Sequence, residues 1–506
     1  MPSILSYDIL HLILELLKFD RSTLISCILS NRTLTTIAIP LLWKNSYFID
    51  ENINQYQLAL LAKSYIACFT EIEIKYLKLK NVHIYNLRKP LFNYAAYLEE
   101  IIYCDPLHNS ILYWILLEYR NFTKNQLINI KNIHQYKEFQ MQYPLINAMY
   151  YMFINNNIKS LGISINTLKI KDQYDYLFIE KLSLTNISLS KLIIYLKDYD
   201  HKKIYETFKY ILRIIAKCCC SIKYIKIYNY FVFNNQQNNL IEIQDVIIKQ
   251  SKLSKLEFIT PNSNIIINEI LSNFTNFKCN YLTEMNLHGI DLSNNSRLKG
   301  LSYINSLKSL VLYNCKGISN TNAFILSESL IQLHSLKFID NSFSLRYIVS
   351  TIGKGLIELD TNQLDFEAIN VISYYSINNL LRLDFKVNLV IQNSFFQFIE
   401  KSKVKYLYIK CSKMSSLIFN DLARYMPDSL KQLKLFINFE YEVDELENLI
   451  INCKDSLVKL EIYGSSNCNN LKRIISNFNW NNNSKREIIL TLINNQFDCG
   501  IEIFFK

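Results

Sequence analysis

The chain has 506 residues, half of them hydrophobic, with only 8 glycines and 7 prolines. That is enough apolar material for a large core, and it excludes collagen-like, linker-rich or disordered organisation. Lys and Arg number 55 against 44 Asp and Glu, a net charge of +11, yet the basic residues are dispersed rather than gathered into the stripe a nucleic-acid binder uses.

Residues 1–47 differ from everything after them. Leu5, Ile9, Leu10, Ile13, Leu14, Leu16 and Leu17 predict a helix that is apolar around most of its circumference. Ser6 and Asp8 offer capping oxygens at its start. Lys18-Phe19-Asp20 then breaks it, and Asp20 or Ser22 can cap a second helix carrying Leu24, Ile25, Cys27, Ile28 and Leu29. A third short helix is expected to end before Pro40, followed by Leu41-Leu42-Trp43. Three small helices with this much apolar surface exceed what a unit of about forty residues can bury alone. They either cap the first repeat or dock on another protein, and the residues leave both open.

From Ile74 to the C-terminus the pattern leucine-x-x-leucine-x-leucine recurs. Divergent copies come first, at Ile74/Leu77/Leu79, Leu98/Ile101/Tyr103, Ile158/Leu161/Ile163, Ile179/Leu182/Leu184, Ile222/Ile225/Ile227, Leu253/Leu256/Phe258 and Leu282/Met285/Leu287. Clear copies come next, at Leu307/Leu310/Leu312, Leu333/Leu336/Phe338, Leu356/Leu359/Thr361, Leu380/Leu383/Phe385, Val404/Leu407/Ile409, Leu430/Leu433/Leu435 and Leu457/Leu460/Ile462. The spacing of the clear copies is roughly two dozen residues, inside the leucine-rich repeat range, and gives about fourteen units. Cys315, Asn341, Asn388 and Asn438 take the ninth position, where a buried polar side chain bonds loop backbone.

Helical periodicity fills the intervals at 324–330, 364–372, 395–399, 417–423 and 443–450. Two gaps are irregular. In 104–157, residues 113–117 and 145–153 read as helical while 126–140 shows no period; in 187–221, residues 189–196 and 205–216 read as helix. A strand followed by a helix, repeated, predicts an α/β solenoid with a parallel inner sheet and outer helices. Such an object offers a long surface rather than a cleft.

No chemical constellation stands out. The 12 cysteines contain no CxxC pair, and Cys218-Cys219-Cys220 cannot wrap one tetrahedral metal. The remaining cysteines read as small buried hydrophobes. The 7 histidines are scattered, and Walker, GxGxxG, GxSxG and HExxH patterns are absent. An enzyme, a bound metal and a cofactor are therefore not expected. Asp8, His11 and Glu15 interrupt the N-terminal apolar stretch, and no apolar run reaches the length of a membrane span. The expected location is cytoplasmic or nuclear, not secreted and not in a membrane.

Leu5-Ser6-Tyr7-Asp8-Ile9-Leu10, Ile13-Leu14 and Leu17, then Leu24 to Arg32, then Leu42-Trp43 together resemble an F-box. Ser6 stands where that family usually has proline, and Thr33 where an aromatic residue often follows the arginine. With the repeats behind it, the whole chain resembles the F-box/leucine-rich-repeat family, in the style of divergent fungal members. The resemblance implies an F-box over 1–47 and a curved repeat solenoid over 48–506. It implies a non-catalytic subunit of an SCF-type ubiquitin ligase, which binds a Skp-type adaptor and, through it, a cullin-RING scaffold. The repeats would hold a protein target, contributing proximity rather than chemistry.

Carried over by position, the adaptor-binding residues are Leu5, Ile9, Ile13, Leu17, Leu24, Leu29 and Trp43. The target face consists of strand residues that alternate with the buried leucines. Those expected there are Tyr313; Arg382, Asp384 and Lys386; Tyr406, Tyr408 and Lys410; Lys434 and Phe436; Lys459, Glu461 and Tyr463. Two other readings stand beside this one: a repeat scaffold whose first helices only cap the array, and an RNA binder using the Tyr/Lys face. Deleting 1–47 is expected to leave the repeats folded.

Overall fold

A computed structural model describes residues 6–18, 20–44, 54–84, 88–101, 104–120, 122–128, 141–156, 158–164, 189–196, 202–229, 240–260, 270–276, 281–326, 330–362, 364–387, 393–411, 417–437, 449, 457–464, 488–494 and 499–505. The chain forms two compact units, residues 1–256 and 257–506.

The first unit opens with three helices, α1 (Tyr7–Leu16), α2 (Arg21–Ser30) and α3 (Arg32–Trp43). Each begins at a side-chain cap. The Ile9 amide donates to Ser6, the Thr23 amide to Asp20 and the Thr33 amide to Asn31, which satisfies donors that a helix start leaves open. The third helix does not stop before Pro40 as its sequence suggests. Proline forfeits one hydrogen bond, but its carbonyl still accepts from the Lys44 amide at 3.0 Å, and the packing of Trp43 holds the last turn.

Next come α4 (Gln55–Ile66) and α5 (Glu71–Leu79). The expected strand at Ile74/Leu77/Leu79 is thus a helix. Thr70 and Glu73 close a capping box ahead of it, and an apolar i, i+3 pair suits a helix as well as a repeat. Leu98/Ile101/Tyr103 begins the sheet instead, as the short strand β1 (Glu100–Ile101). The irregular gap holds α6 (Cys104–Tyr119), α7 (Lys124–Ile128) and α8 (Gln142–Asn155), with α4 packed on α6 and α5 and α6 on α8.

Strands β2 (Ser160–Ser164), β3 (Lys191–Leu196) and β4 (Tyr224–Asn229) continue the parallel sheet, pairing Glu100 with Ser160, Ser160 with Lys191 and Lys191 with Tyr224. Residues 189–196, expected as helix, supply β3. Leu192, Ile193 and Ile194 are all buried, and a short apolar run covered on both faces carries no helical or strand signature. The copy at Ile179/Leu182/Leu184 lies outside the described residues. Helices α9 (Lys202–Cys218) and α10 (Leu240–Ile248) flank β4, and β5 (Lys255–Ile259) carries the chain out of this unit.

The second unit is more regular. Strands β6 (Glu284–His288), β7 (Ser309–Tyr313), β8 (Ser335–Ile339), β9 (Glu358–Thr361), β10 (Arg382–Val387), β11 (Tyr406–Cys411), β12 (Gln432–Ile437) and β13 (Lys459–Gly464) lie parallel in chain order and in strict register. The repeat leucines on these strands are buried throughout. Between strands run α11 (Asn295–Ser302), α12 (Asn320–Ala323), α13 (Leu345–Ile352), α14 (Phe366–Tyr375), α15 (Asn393–Lys401) and α16 (Leu417–Tyr425). Of the expected helix at 324–330, the described residues lie in the 3-10 turns Phe324–Leu326 and Leu330–Gln332, and 327–329 fall outside the described residues. The helix expected at 443–450 lies outside the described residues save Leu449.

Register is kept by a device repeated at every step. One carbonyl ahead of each strand accepts from two successive amides of the next repeat. Thr283 takes Lys308 and Ser309, Lys308 takes His334 and Ser335, and His334 takes Ile357 and Glu358. Just after the strands, Gly289, Asn314 and Asp340 occupy equivalent left-handed positions with φ of 73°, 51° and 52°. Asn and Asp tolerate that region better than most residues. At Gly289 a Cβ would lie 1.8 Å from the Thr260 carbonyl oxygen, so this copy needs glycine for space as well as for φ.

The ninth-position residues do what their chemistry suggests. Asn341 accepts from the Cys315 amide at 2.8 Å and donates to the Leu312 carbonyl at 2.9 Å, while the Cys315 thiol donates to the Leu287 carbonyl. Asn388 and Asn438 lie outside the described residues. Beyond β13 the sequence shows no leucine repeat, and the chain adds the hairpin β14 (Ile488–Asn494) and β15 (Cys499–Phe505), with β15 antiparallel to β13.

Candidate protein-interaction sites

The three N-terminal helices share a small core of Leu14, Leu24, Ile37 and Ala38, against which Leu10, Leu17, Cys27, Ile28, Leu34, Leu41 and Leu42 pack. This divides the seven residues expected to bind an adaptor. Leu24 is 0% exposed and serves the core of the helical unit. Leu17 is half-buried against the same core, and Leu5 lies outside the described residues.

Trp43 faces inward to its neighbours. Its ring stacks on Tyr94 at 4.1 Å and meets the edge of Tyr65 at 5.2 Å. The adjoining Lys44 carbonyl accepts from the Glu99 amide at 2.9 Å, and its ammonium pairs with the Glu99 carboxylate at 3.1 Å. Burial raises the Glu99 pKa, but hydrogen bonds from Lys159 and Lys44 outweigh it and hold the carboxyl below its ordinary range. Trp43 is therefore where the helices join the rest of the unit.

Ile9, Ile13 and Leu29 remain exposed, and sequence reasoning missed their companions Tyr7, Leu12, Leu16 and Ile25. Leu16 and Leu29 are 85% and 82% exposed. The signal was present in α1, whose apolar residues run nearly all round. A helix packed on one side cannot bury every side, and Leu14 marks the side it uses.

The second candidate lies on β10 to β13, on the sheet side opposite the buried leucines. The residues expected on these four strands alternate there with the buried leucines. Tyr313, on β7, stands apart beside His288 at 5.3 Å between ring centroids. Arg382 donates to Asp384 through Nε at 3.1 Å and Nη2 at 2.8 Å. Burial of Asp384 outweighs this arginine, and with Asp360 and Glu358 nearby its pKa is raised.

Glu461 is buried at the centre of a polar cluster. Gln432 Nε2 donates to it at 2.6 Å and Tyr463 Oη at 3.0 Å, while the Lys459 and Lys434 ammonium groups lie at 2.7 and 3.3 Å. Burial works against its ionisation, yet the Lys459 and Tyr463 hydrogen bonds and the two lysine charges hold its pKa below the ordinary value. Lys434 sits over the Tyr463 and Tyr408 rings at 4.5 and 5.4 Å, and Lys410 over Phe436 at 4.8 Å. Tyr406 is exposed at the edge of this patch. Cation-over-ring contacts and a rigid strand framework give a face suited to binding another macromolecule.

Among the described residues no group of three or more His, Cys, Asp or Glu side chains could hold a metal ion, and no helix is long and apolar enough to cross a membrane. Burial pushes the Cys219 and Cys315 thiols up to about 12, so both behave as small apolar groups. Cys220, by contrast, is exposed.

No family model matches the chain, and no curated protein matches it. Among solved structures, one similar chain is that of the crystal structure of a TLR13–ssRNA13 complex, at 16% identity and a TM-score of 0.34. The match covers 62% of this chain and 45% of that one, so this chain spans under half of its length. A likeness at that level decides neither fold nor partner. The strand-and-helix repeat rests on the chain's own geometry: parallel strands in register, leucines inward and a mixed polar face outward.

Proposed function

We propose that this chain is a target-recognition adaptor of an SCF-type cullin-RING ubiquitin ligase, its first three helices docking on a Skp-type adaptor and its repeats holding a protein target. The observation that carries this reading is the outer face of α1 and α2. Tyr7, Ile9, Leu12, Ile13, Leu16, Ile25 and Leu29 are exposed on a unit that already has a core of its own. Burying one such side chain fully is worth about 1.5–3 kcal/mol. On α1, Ile9, Leu12, Ile13 and Leu16 stand at i, i+3, i+4 and i+7 and so share one exposed side, and large apolar side chains gathered in this way mark a protein contact more often than bare surface. The resemblance of 1–47 to an F-box supplies the partner. The protein performs no chemistry in this scheme; it raises the local concentration of target lysines at the ligase.

The test is a pull-down with purified Skp-type adaptor. Leu12→Asp with Leu16→Asp is expected to abolish capture while circular dichroism stays unchanged, because both side chains already face solvent. Leu24→Asp is the contrasting control, expected to unfold the three helices. Wild-type chain that fails to bind the adaptor removes this reading. A second reading, a repeat scaffold with capping helices, is favoured by Trp43, which docks on Tyr94 and Tyr65. It predicts that the Leu12/Leu16 variant loses no partner.

A further inference from the structure

The register of the second unit places Lys386 opposite Lys410, then Phe436, then Tyr463, in one row across four neighbouring strands. Both lysines are exposed. The carboxylates of these four strands are engaged elsewhere, Asp384 by Arg382 and Glu461 by Lys434 and Lys459. Among the described residues neither Lys386 nor Lys410 has an ion-pair partner, and the Lys410 ammonium rests on the Phe436 ring. Like charges directly opposite on adjacent strands repel, and an anion seated between them removes the repulsion.

We infer that Lys386 and Lys410 anchor an acidic, carboxylate-bearing segment of the target protein, an inference that rests on reading the repeats as the target-recognition face. Three features select that occupant. First, an ammonium group is a point charge that one carboxylate can pair with, and the guanidinium fork that strengthens phosphate recognition is not free on these four strands. The guanidinium on β10, that of Arg382, is already forked onto Asp384. Second, base stacking needs open ring faces, and here Lys410 covers Phe436 while Lys434 covers Tyr408 and Tyr463. Third, an extended peptide crossing the strands presents alternate side chains ~7 Å apart, a gap that two flexible lysines on adjacent strands can match.

The experiment is fluorescence anisotropy on the full chain with a labelled glutamate-rich peptide. Its comparators are the same peptide with glutamine for glutamate, a phosphoserine version and a single-stranded RNA. The glutamate peptide is expected to bind at least about tenfold more tightly than the glutamine one, with the difference shrinking as salt rises. Lys386→Gln with Lys410→Gln should erase that difference, and Lys386→Gln alone, which leaves the Lys410–Phe436 contact in place, should erase part of it. Lys299→Gln, an exposed lysine on α11, should leave it intact. Equal binding of the glutamate and glutamine peptides overturns the inference, as does an equal loss in the Lys299 variant. Tighter binding of the phosphoserine peptide or of the RNA also overturns it. The assay contains no adaptor, so its failure and failure of the adaptor pull-down are separate results.

Discussion

At the residue scale, two buried polar groups hold neighbouring repeats together. Asn341 is 4% exposed and bonds both the Cys315 amide and the Leu312 carbonyl. Asn341→Ala leaves both backbone groups unsatisfied and should cost about 2–3 kcal/mol, read as a lower urea midpoint. Glu461 behaves differently because it titrates. Its folded pKa lies below the ordinary 4.5, so its stabilisation is present above that value and is lost as pH falls through the lowered one. The stability difference between wild type and Glu461→Gln should therefore be about 1–2 kcal/mol at pH 7 and shrink toward zero in acid. A difference that stays constant with pH would show that the carboxylate charge contributes nothing.

At the element scale, the N-terminal helices bury one part of their apolar surface and leave another exposed. Trp43 anchors the last turn of α3, and Trp43→Ala should cost about 3 kcal/mol, detectable as faster proteolysis of the helical unit. The Leu12/Leu16 variant should leave that stability unchanged. This division was half legible in the sequence. Caps at Ser6 and Asp20 and three apolar helices follow from residue type, whereas the Asn31 cap did not come from the sequence, and an all-apolar helix does not announce which side is spent. The same limit explains β3 and α5, where a contiguous apolar run and an i, i+3 pair each fit two structures. The regular repeats were legible because the period keeps every leucine on one side of its strand. The polar face came with them automatically, while its pairings, such as Gln432 with Glu461, depend on cross-strand register. The C-terminal hairpin had no repeat signal to find.

At the scale of the whole chain, a repeat array stabilises itself through neighbouring contacts, so damage should stay local. Gly289→Ala forces a Cβ into the Thr260 carbonyl and strains a left-handed turn. It should cost about 2–3 kcal/mol. Hydrogen exchange should quicken in β6 and β7 while β11 to β13 keep their protection. Exchange that quickens evenly through the second unit would show long-range cooperativity instead. The expectation that removing 1–47 leaves the repeats folded carries a local cost for the same reason. That deletion uncovers the faces of Tyr94 and Tyr65 on which Trp43 packs, so the adjoining helices should lose stability unless those rings receive a replacement cover.

The Trp43 contact also sets direction. Two modules joined by a floppy tether would search a sphere, and the tether would fix only how far apart they can drift. Here stacked rings, a backbone hydrogen bond and the Lys44–Glu99 pair fix an angle as well as a distance. If the proposed function holds, anything gripped by the three helices is aimed, not merely kept nearby. Lengthening the chain after Lys44 would then leave that aim unaltered, whereas removing the indole would turn a bracket into a hinge.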